Sequence, residues 1–290
     1  MILVADSGSS KTDWLLATPA DGNKAFKCAG LNPYFLTEKE ITRIIQEQLP
    51  DMVAYAGDVT EIYFFGAGCS SPDRHEIVTN AISTLFPEAY VSVDSDLLAS
   101  AYATCGHEKG FCCVLGTGSN ISFFDGEDIH DGQHGLGYVL GDEGSGTWFG
   151  KALLTDYLYE LMPADIAVNF GKAFNPTKEA VIENVYRKPR GNAYLAAFSK
   201  FLSEIRSTDY GQNILRAGLQ EFVDTNIKQS YPQYDRFKCH FVGSIAYVFA
   251  DELKSICRDN GVHVGKIIRQ PINDLQEFIL KRDAANQSLL

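Results

Sequence analysis

Three short stretches hold residues whose types and spacing suit chemistry: VADSGSSKT at 4–12, VLGTGSN at 114–120, and VSVDSDLLASAY at 91–102. In the first two, an apolar run ends in a cluster of Gly, Ser and Thr before a second apolar run begins. Small residues let the backbone approach a ligand closely, and successive amides form a concavity that suits an anion. The third stretch offers two acids. Asp94 closes an apolar strand, where an acid is commonly structural, whereas Asp96 opens the helical run Leu97–Tyr102. A carboxylate at a helix start is kept ionised by the dipole and the free amides, so Asp96 reads either as a helix cap or as a proton acceptor.

The elements that must position these residues follow from periodicity and turn signals. Ile2–Ala5 and Trp14–Leu16 read as strands around a tight loop, with Asp21-Gly22 as the next turn. Residues 33–49 carry a helical pattern in their second half. Glu61–Phe65 and Ala89–Asp94 read as strands, and Asp73–Phe86 and Asp96–Cys105 as helices. Gly110–Leu115 reads as a buried strand feeding GTGSN, and Ile121–Phe124 as its partner before Asp125-Gly126. Strands alternating with helices predict an α/β protein. The two Gly/Ser/Thr hairpins also form an internal repeat, residues 4–11 aligning with 114–121, and a third glycine turn, FVGSIA, occupies 241–246. Two similarly built domains are therefore expected.

Composition narrows the function classes. A chain of 290 residues, 45% of them hydrophobic, can bury a full core. Its net charge of -12 argues against nucleic acid or an anionic membrane as a partner, because both require clustered Lys and Arg. Seven cysteines without CxxC spacing fit a reducing, cytoplasmic setting. No secretory leader or membrane-length apolar run is evident. His75, His107, His130, His134, His240 and His263 are scattered without metal spacing, so no zinc is expected.

Taken together and in order, DSGSSKTDW (6–14), GLNPY (30–34), DSDLLASAY (94–102), LGTGSN (115–120) and GLGYVLGDEGSGTW (135–148) resemble the sugar kinase, Hsp70 and actin superfamily. Within it the sequence is similar to the N-acetylglucosamine kinases and the related ATPases that activate benzoyl-CoA reductase. The resemblance covers essentially the whole chain. It implies a duplicated ribonuclease H-like, actin-like ATPase architecture with a cleft between two domains, at 1–108 and 109–274. The second would contain a helical insert, and a C-terminal helix at about 275–290 would pack back on the first.

The resemblance also implies roles. Asp6 would hold Mg²⁺ through water, since that ion parts with its hydration shell reluctantly. Gly8, Ser9, Ser10, Lys11 and Thr12 would form the first phosphate loop of an ATP site, and Gly116, Thr117, Gly118 and Asn120 the second. Gly243 and Ser244 would lie under the adenosine. Asn32, Gly137 and Asp142 would bind the sugar with Asp96, which would also be the catalytic base. Residue chemistry alone leaves Asn32 open as a turn residue before Pro33, and Asp142-Glu143 as a helix start over Ser145–Leu161. Five glycines within residues 135–146 exceed what one helix cap needs and would let the backbone crowd a sugar ring.

The expected activity is ATP-dependent phosphorylation of an amino sugar, N-acetylglucosamine or a relative such as N-acetylmuramic acid or glucosamine. One alternative is an ATPase that drives an iron-sulfur reductase or dehydratase, which would need cysteines at a dimer interface. Another is a non-catalytic sugar-sensing regulator. Such regulators carry an N-terminal DNA-binding domain, whereas here the first phosphate loop begins at residue 6. A homodimer is compatible with all three readings. Residues 163–235 read as mostly helical scaffold.

Overall fold

The hairpin at the start of the chain seeds a five-stranded sheet. The computed structural model describes residues 1–8, 11–18, 22–131 and 135–287, which divide into two units: Met1–His107 with Pro271–Leu290, and Glu108–Gln270. In the first unit, β1 (Ile2–Ser7) pairs antiparallel with β2 (Lys11–Thr18), and β2 with β3 (Gly22–Ala29). On its other side β1 pairs parallel with β4 (Glu61–Gly66), and β4 with β5 (Tyr90–Ser95), giving the order β3-β2-β1-β4-β5.

Leu3, Ala5, Trp14, Leu16, Ile62 and Phe64 face the helices Glu38–Gln48 and Pro72–Leu85, where they meet Ile41, Ile45, Val78 and Ile82. The opposite sheet face is covered by helix Asp96–Thr104 and by the C-terminal helix Ile272–Gln287. Gln276 donates from Nε2 to the Leu15 carbonyl at 3.3 Å, and Phe278 stacks on Tyr102 at 4.5 Å. Because both faces are covered, β1 and β4 are nearly unbroken apolar runs.

The second unit repeats this plan. Here β6 (Gly110–Leu115) pairs antiparallel with β7 (Ser119–Phe124), which pairs with β8 (Ile129–Asp131). Parallel partners β9 (Lys238–Val242) and β10 (Val264–Ile268) complete the order β8-β7-β6-β9-β10. Reading out from the first strand of each hairpin, the two sheets have the same topology. Phe111, Leu115, Ile121 and Phe241 pack against Phe149, Leu219 and Phe222 from the helices Gly146–Leu158 and Asp209–Phe222. Helix Gly146–Leu158 lies so close to helix Gly191–Phe198 that a Cβ on Gly150 would overlap the Leu195 carbonyl.

Several boundaries differ from the periodic reading. The third strands β3 and β8 extend each hairpin into a meander. The helix expected over Ser145–Leu161 is Gly146–Leu158, capped by Ser145, whose Oγ accepts the Trp148 amide at 3.2 Å. It stops short because Glu160 takes φ 59°, a left-handed conformation that a helix cannot continue. Within 163–235, the helical scaffold is interrupted by π-helical turns at Glu183–Arg187 and Val223–Gln229.

Candidate functional site

Strand alternation puts Asp6 on the face of β1 that helix Asp96–Thr104 covers, one residue before the strand ends. The register sets Asp6 opposite Asp13 on β2 and beside Phe65 on β4, which in turn neighbours Asp94 on β5. Like charges facing each other across a strand pair repel. Asp13 is compensated by Lys11 Nζ at 2.6 Å and Lys27 Nζ at 3.1 Å. Asp6 is not compensated to the same degree. Burial pushes its carboxyl up to about 7, the charges of Asp96 and Asp13 push in the same direction, and Lys11 opposes them.

Asp96 is the first residue of its helix. The cap is Ser95, whose Oγ accepts the Leu98 amide at 3.3 Å. Asp96 is thus released from the capping role and stands in the positive field of the first turn. Asp94 lies two residues back. Burial raises its carboxyl, while His75 and Arg282 act in the other direction.

The loop after β1 is pinned by hydroxyls. Ser7 Oγ and Thr12 Oγ1 are 2.8 Å apart and buried, Thr12 Oγ1 donates to the Ala29 carbonyl at 3.1 Å, and the Gly8 amide donates to the Lys11 carbonyl at 2.9 Å. Ser7 Oγ also accepts the Leu31 amide at 3.1 Å, which ties the segment after β3 to the same sheet edge. Asn32 follows there, buried, with Oδ1 accepting the Tyr34 amide at 2.9 Å. Ser9 and Ser10 lie outside the described residues.

In the second unit, Gly116 and Thr117 follow β6 at the carboxyl edge of the parallel strands, where ligands of open α/β sheets bind. The start of the next long helix holds them. The Gly146 amide donates to the Gly116 carbonyl at 2.8 Å, and Thr147 donates to the Thr117 carbonyl from N at 3.0 Å and from Oγ1 at 2.6 Å. Gly243 crosses the same edge with φ 130°. A Cβ there would lie 2.6 Å from the Leu115 carbonyl carbon and 2.9 Å from the Gly116 amide nitrogen, so only glycine fits. Ser244 begins the short helix Ser244–Val248.

These residues open onto a cleft of about 440 Å³ whose lining includes Gly116, Thr117, Gly146, Ser244, Ile245 and Phe249. One wall, made by Ala193, Ala196, Ala197, Lys200 and Ser203, belongs to the segment read from sequence as scaffold. Its signal was present in NAYLAAFSKFLS, where Ala193, Ala196 and Ala197 recur at helical spacing on one face. Arg269 at the cleft was also missed. The buried Phe249 ring faces Arg206, which is locked to Glu252 by two bonds of 2.6 and 2.7 Å.

The remaining sequence candidates are also in the second unit. Asp142, in the left-handed region at φ 59°, accepts the Ser119 amide through Oδ1 at 3.2 Å. Burial raises its carboxyl, and the Ser119 bond partly offsets this. Gly118 carries no Cβ where that carboxylate sits, 2.8 Å from where one would be. Asn120 bonds through Oδ1 to the Ile121 amide at 2.7 Å. Gly137, φ 70°, opens the exposed turn Gly137–Leu140.

Among the described residues, no three His, Cys, Asp or Glu side chains close round one metal position. Asp6 alone suits an ion such as Mg²⁺, which protein sites hold by one or two carboxylates while waters and phosphate oxygens complete the shell. The oxygen-only donors and the negative pocket around Asp6 fit that ion. Among the described residues no helix is long and apolar enough to cross a membrane.

Two mixed sheets of identical topology, each carrying its glycine and hydroxyl loops at one edge, define the actin-like ATPase class. No family model matches the chain, and no curated protein does. Among solved structures, a Porphyromonas gingivalis protein provisionally named an N-acetylglucosamine kinase is 32% identical. It superposes with a TM-score of 0.90, covering 96% of this chain and 98% of that one. A Chromobacterium violaceum protein with the same provisional name shares 17% identity at TM-score 0.67, covering 96% of this chain and 98% of its own. A ROK family glucokinase from Streptomyces griseus, solved with glucose and AMPPNP, shares 15% at TM-score 0.54, covering 93% of each chain. The last two show the fold alone. The chain belongs to the N-acetylglucosamine kinase-like family, ATP-dependent sugar kinases built on the actin-like fold.

Proposed function

We propose that the protein transfers the γ-phosphoryl group of ATP to a hydroxyl of an amino sugar, N-acetylglucosamine or a close relative such as N-acetylmuramic acid or glucosamine. The observation that carries this reading is the placement of Asp96. It stands at the first turn of its helix, freed from capping by Ser95, in the same acidic pocket as Asp6.

Phosphoryl transfer is catalysed mainly by positioning and by neutralising phosphate charge. In this reading Asp96 accepts the proton of the attacking hydroxyl while the sugar oxygen bonds to the γ-phosphorus and the bond to the β-phosphate oxygen breaks, releasing ADP. Asp96 and Asp6 lie close enough for the charge of Asp96 to act on the Asp6 carboxyl, so the base and the ion-holding residue stand side by side. Mg²⁺, when bound, would neutralise charge on the phosphates, and Asp6 is the residue that would hold it. Lys11 and Thr12 complete the first phosphate loop with Gly8, and Gly116, Thr117, Gly118 and Asn120 form the second. The cleft over Gly243 and Ser244 takes the adenosine, where the apolar Ile245, Val248 and Phe249 suit a flat base and Lys200, Ser203 and Arg269 suit its polar parts. Asn32 of the first unit, and Gly137 and Asp142 of the second, are the residues this reading assigns to the sugar.

All seven cysteines are free and buried, which leaves the iron-sulfur alternative without surface thiolates. The test is ADP release with Mg-ATP across a panel of amino sugars. Release that depends on N-acetylglucosamine or a relative supports the proposal, and sugar-independent release or none contradicts it.

A further inference from the structure

Beside Asn32 the first unit presents a cation for which the proposed reaction has no use. Gly68, at φ 84°, carries no Cβ because Asn32 Oδ1 occupies that space, and a Cβ would also lie 2.9 Å from the Tyr34 ring. Asn32, Tyr34 and Gly68 are therefore packed together. The guanidinium of Arg74 lies over the Tyr34 ring, with Cζ 3.4 Å from the ring centre, and Nη1 donates to Ser70 Oγ at 3.0 Å. This stack immobilises a side chain that otherwise carries much rotamer entropy. Among the described residues no carboxylate is paired with Arg74. Tyr34 and Phe35 remain 58% and 78% exposed, so this wall is open to a ligand.

The same wall lies close to the acids. The buried Cys69 thiol, next to Gly68, feels Asp96, Asp94 and Arg74 together: burial and the two carboxylates push it up to about 12, and Arg74 opposes them. A ligand beside Asn32 thus meets the field of Asp94 and Asp96 with Arg74 stacked at its border, while His75 and Arg282 act on Asp94. An anionic substituent would be repelled there unless Arg74 paired with it.

We propose that Arg74, held against Tyr34 beside Asn32, is a specificity-determining residue that pairs with a carboxylate substituent on the amino sugar, so that the favoured acceptor is an acidic amino sugar. A planar guanidinium offers a two-donor edge that matches a carboxylate. The Arg74 guanidinium carries one positive charge and balances one carboxylate, where a phosphate would bring close to two. The inference rests on the kinase reading and deepens it.

The test compares N-acetylglucosamine with its 3-O-carboxyethyl ether, following ADP release from Mg-ATP. The wild type is expected to use the ether at least as well as the neutral sugar. Arg74→Met should lower the ratio of kcat/KM for the ether to that for the neutral sugar by roughly 10- to 100-fold, the scale of a lost charged hydrogen bond. Arg74→Lys should recover part of it, since it keeps the charge and loses the fork. A wild type that phosphorylates N-acetylglucosamine but not the ether overturns the inference and leaves the kinase reading standing, as does an Arg74→Met variant with an unchanged ratio. Turnover of neither sugar, nor of any other amino sugar in the panel, overturns both.

Discussion

The carboxylate of Asp142 accepts the amide of Ser119 at 3.2 Å and lies against Gly118, so a residue of the GDEGS turn supports the loop that follows β6. Asp142 holds this position in a left-handed conformation, at φ 59°, that costs a non-glycine residue free energy. The turn and the loop are therefore one mechanical element. Asp142 has two oxygens, and the Ser119 bond engages one of them.

This joint predicts how Asp142 variants divide. Asp142→Asn keeps an oxygen for the Ser119 amide and should retain nucleotide affinity, whereas Asp142→Ala leaves that amide without its acceptor. The cost is about 1 to 3 kcal/mol, felt in both nucleotide and sugar use. Calorimetric titration with ATP of the two variants checks this. Equal affinities would separate Asp142 from the loop.

Gly243→Ala should damage the nucleotide cleft. The new Cβ would meet the backbone of Leu115 and Gly116, and φ 130° is itself unfavourable for alanine. Backbone strain of roughly 1 to 3 kcal/mol is expected, with the Gly116 loop displaced and ATP affinity reduced. Thermal denaturation with and without ATP measures both effects. A variant with native stability and ligand-induced stabilisation would contradict the close approach.

Much of the candidate site was legible in the sequence because its parts are local. The loop after β1, the GTGSN hairpin, the two acids of VSVDSDLL and the Gly243 turn are each defined by residues adjacent in the chain, and hairpin chemistry is short-range. What stayed hidden was assembled over distance. The identical order of the two sheets depends on β9 and β10, which enter more than a hundred residues after β6. The alanine wall at 193–197 reads as an ordinary helix until Gly146 is seen against Ala196. Arg74 on Tyr34 joins two segments that no periodicity links. The strand β3 was missed because GNKAFKCA offers only Phe26 and Cys28 as large apolar residues, with Lys24 on their face and Lys27 on the other.

Stability should fall in mild acid through His240. This imidazole is buried, and its Nδ1 accepts the Lys266 amide at 3.0 Å. Burial, with Lys238 and Lys266 adding and Glu108 opposing, lowers its pKa from 6.5 to about 4. Between those values the unfolded chain binds a proton that the folded chain refuses, so stability is full above about 6.5 and declines as pH falls toward 4. The loss is about 3 kcal/mol at most. Denaturant midpoints at pH 7.5 and pH 5 for the wild type and His240→Gln isolate the contribution. The variant should lose less on acidification, and an identical loss would contradict the assignment.

The placement of Asp96 at its helix start, with Ser95 as the cap, carries the proposed chemistry and is open to one direct measurement. General-base assistance is worth about 10² to 10⁴ in rate. Single-turnover phosphorylation of the best amino-sugar substrate, with ATP binding followed in parallel, compares Asp96→Asn with Asp94→Asn. The account predicts that Asp96→Asn binds ATP normally and loses turnover by about 10² to 10⁴, while Asp94→Asn mainly lowers the melting temperature. Near-native turnover in Asp96→Asn, with turnover abolished in a folded Asp94→Asn, would contradict it.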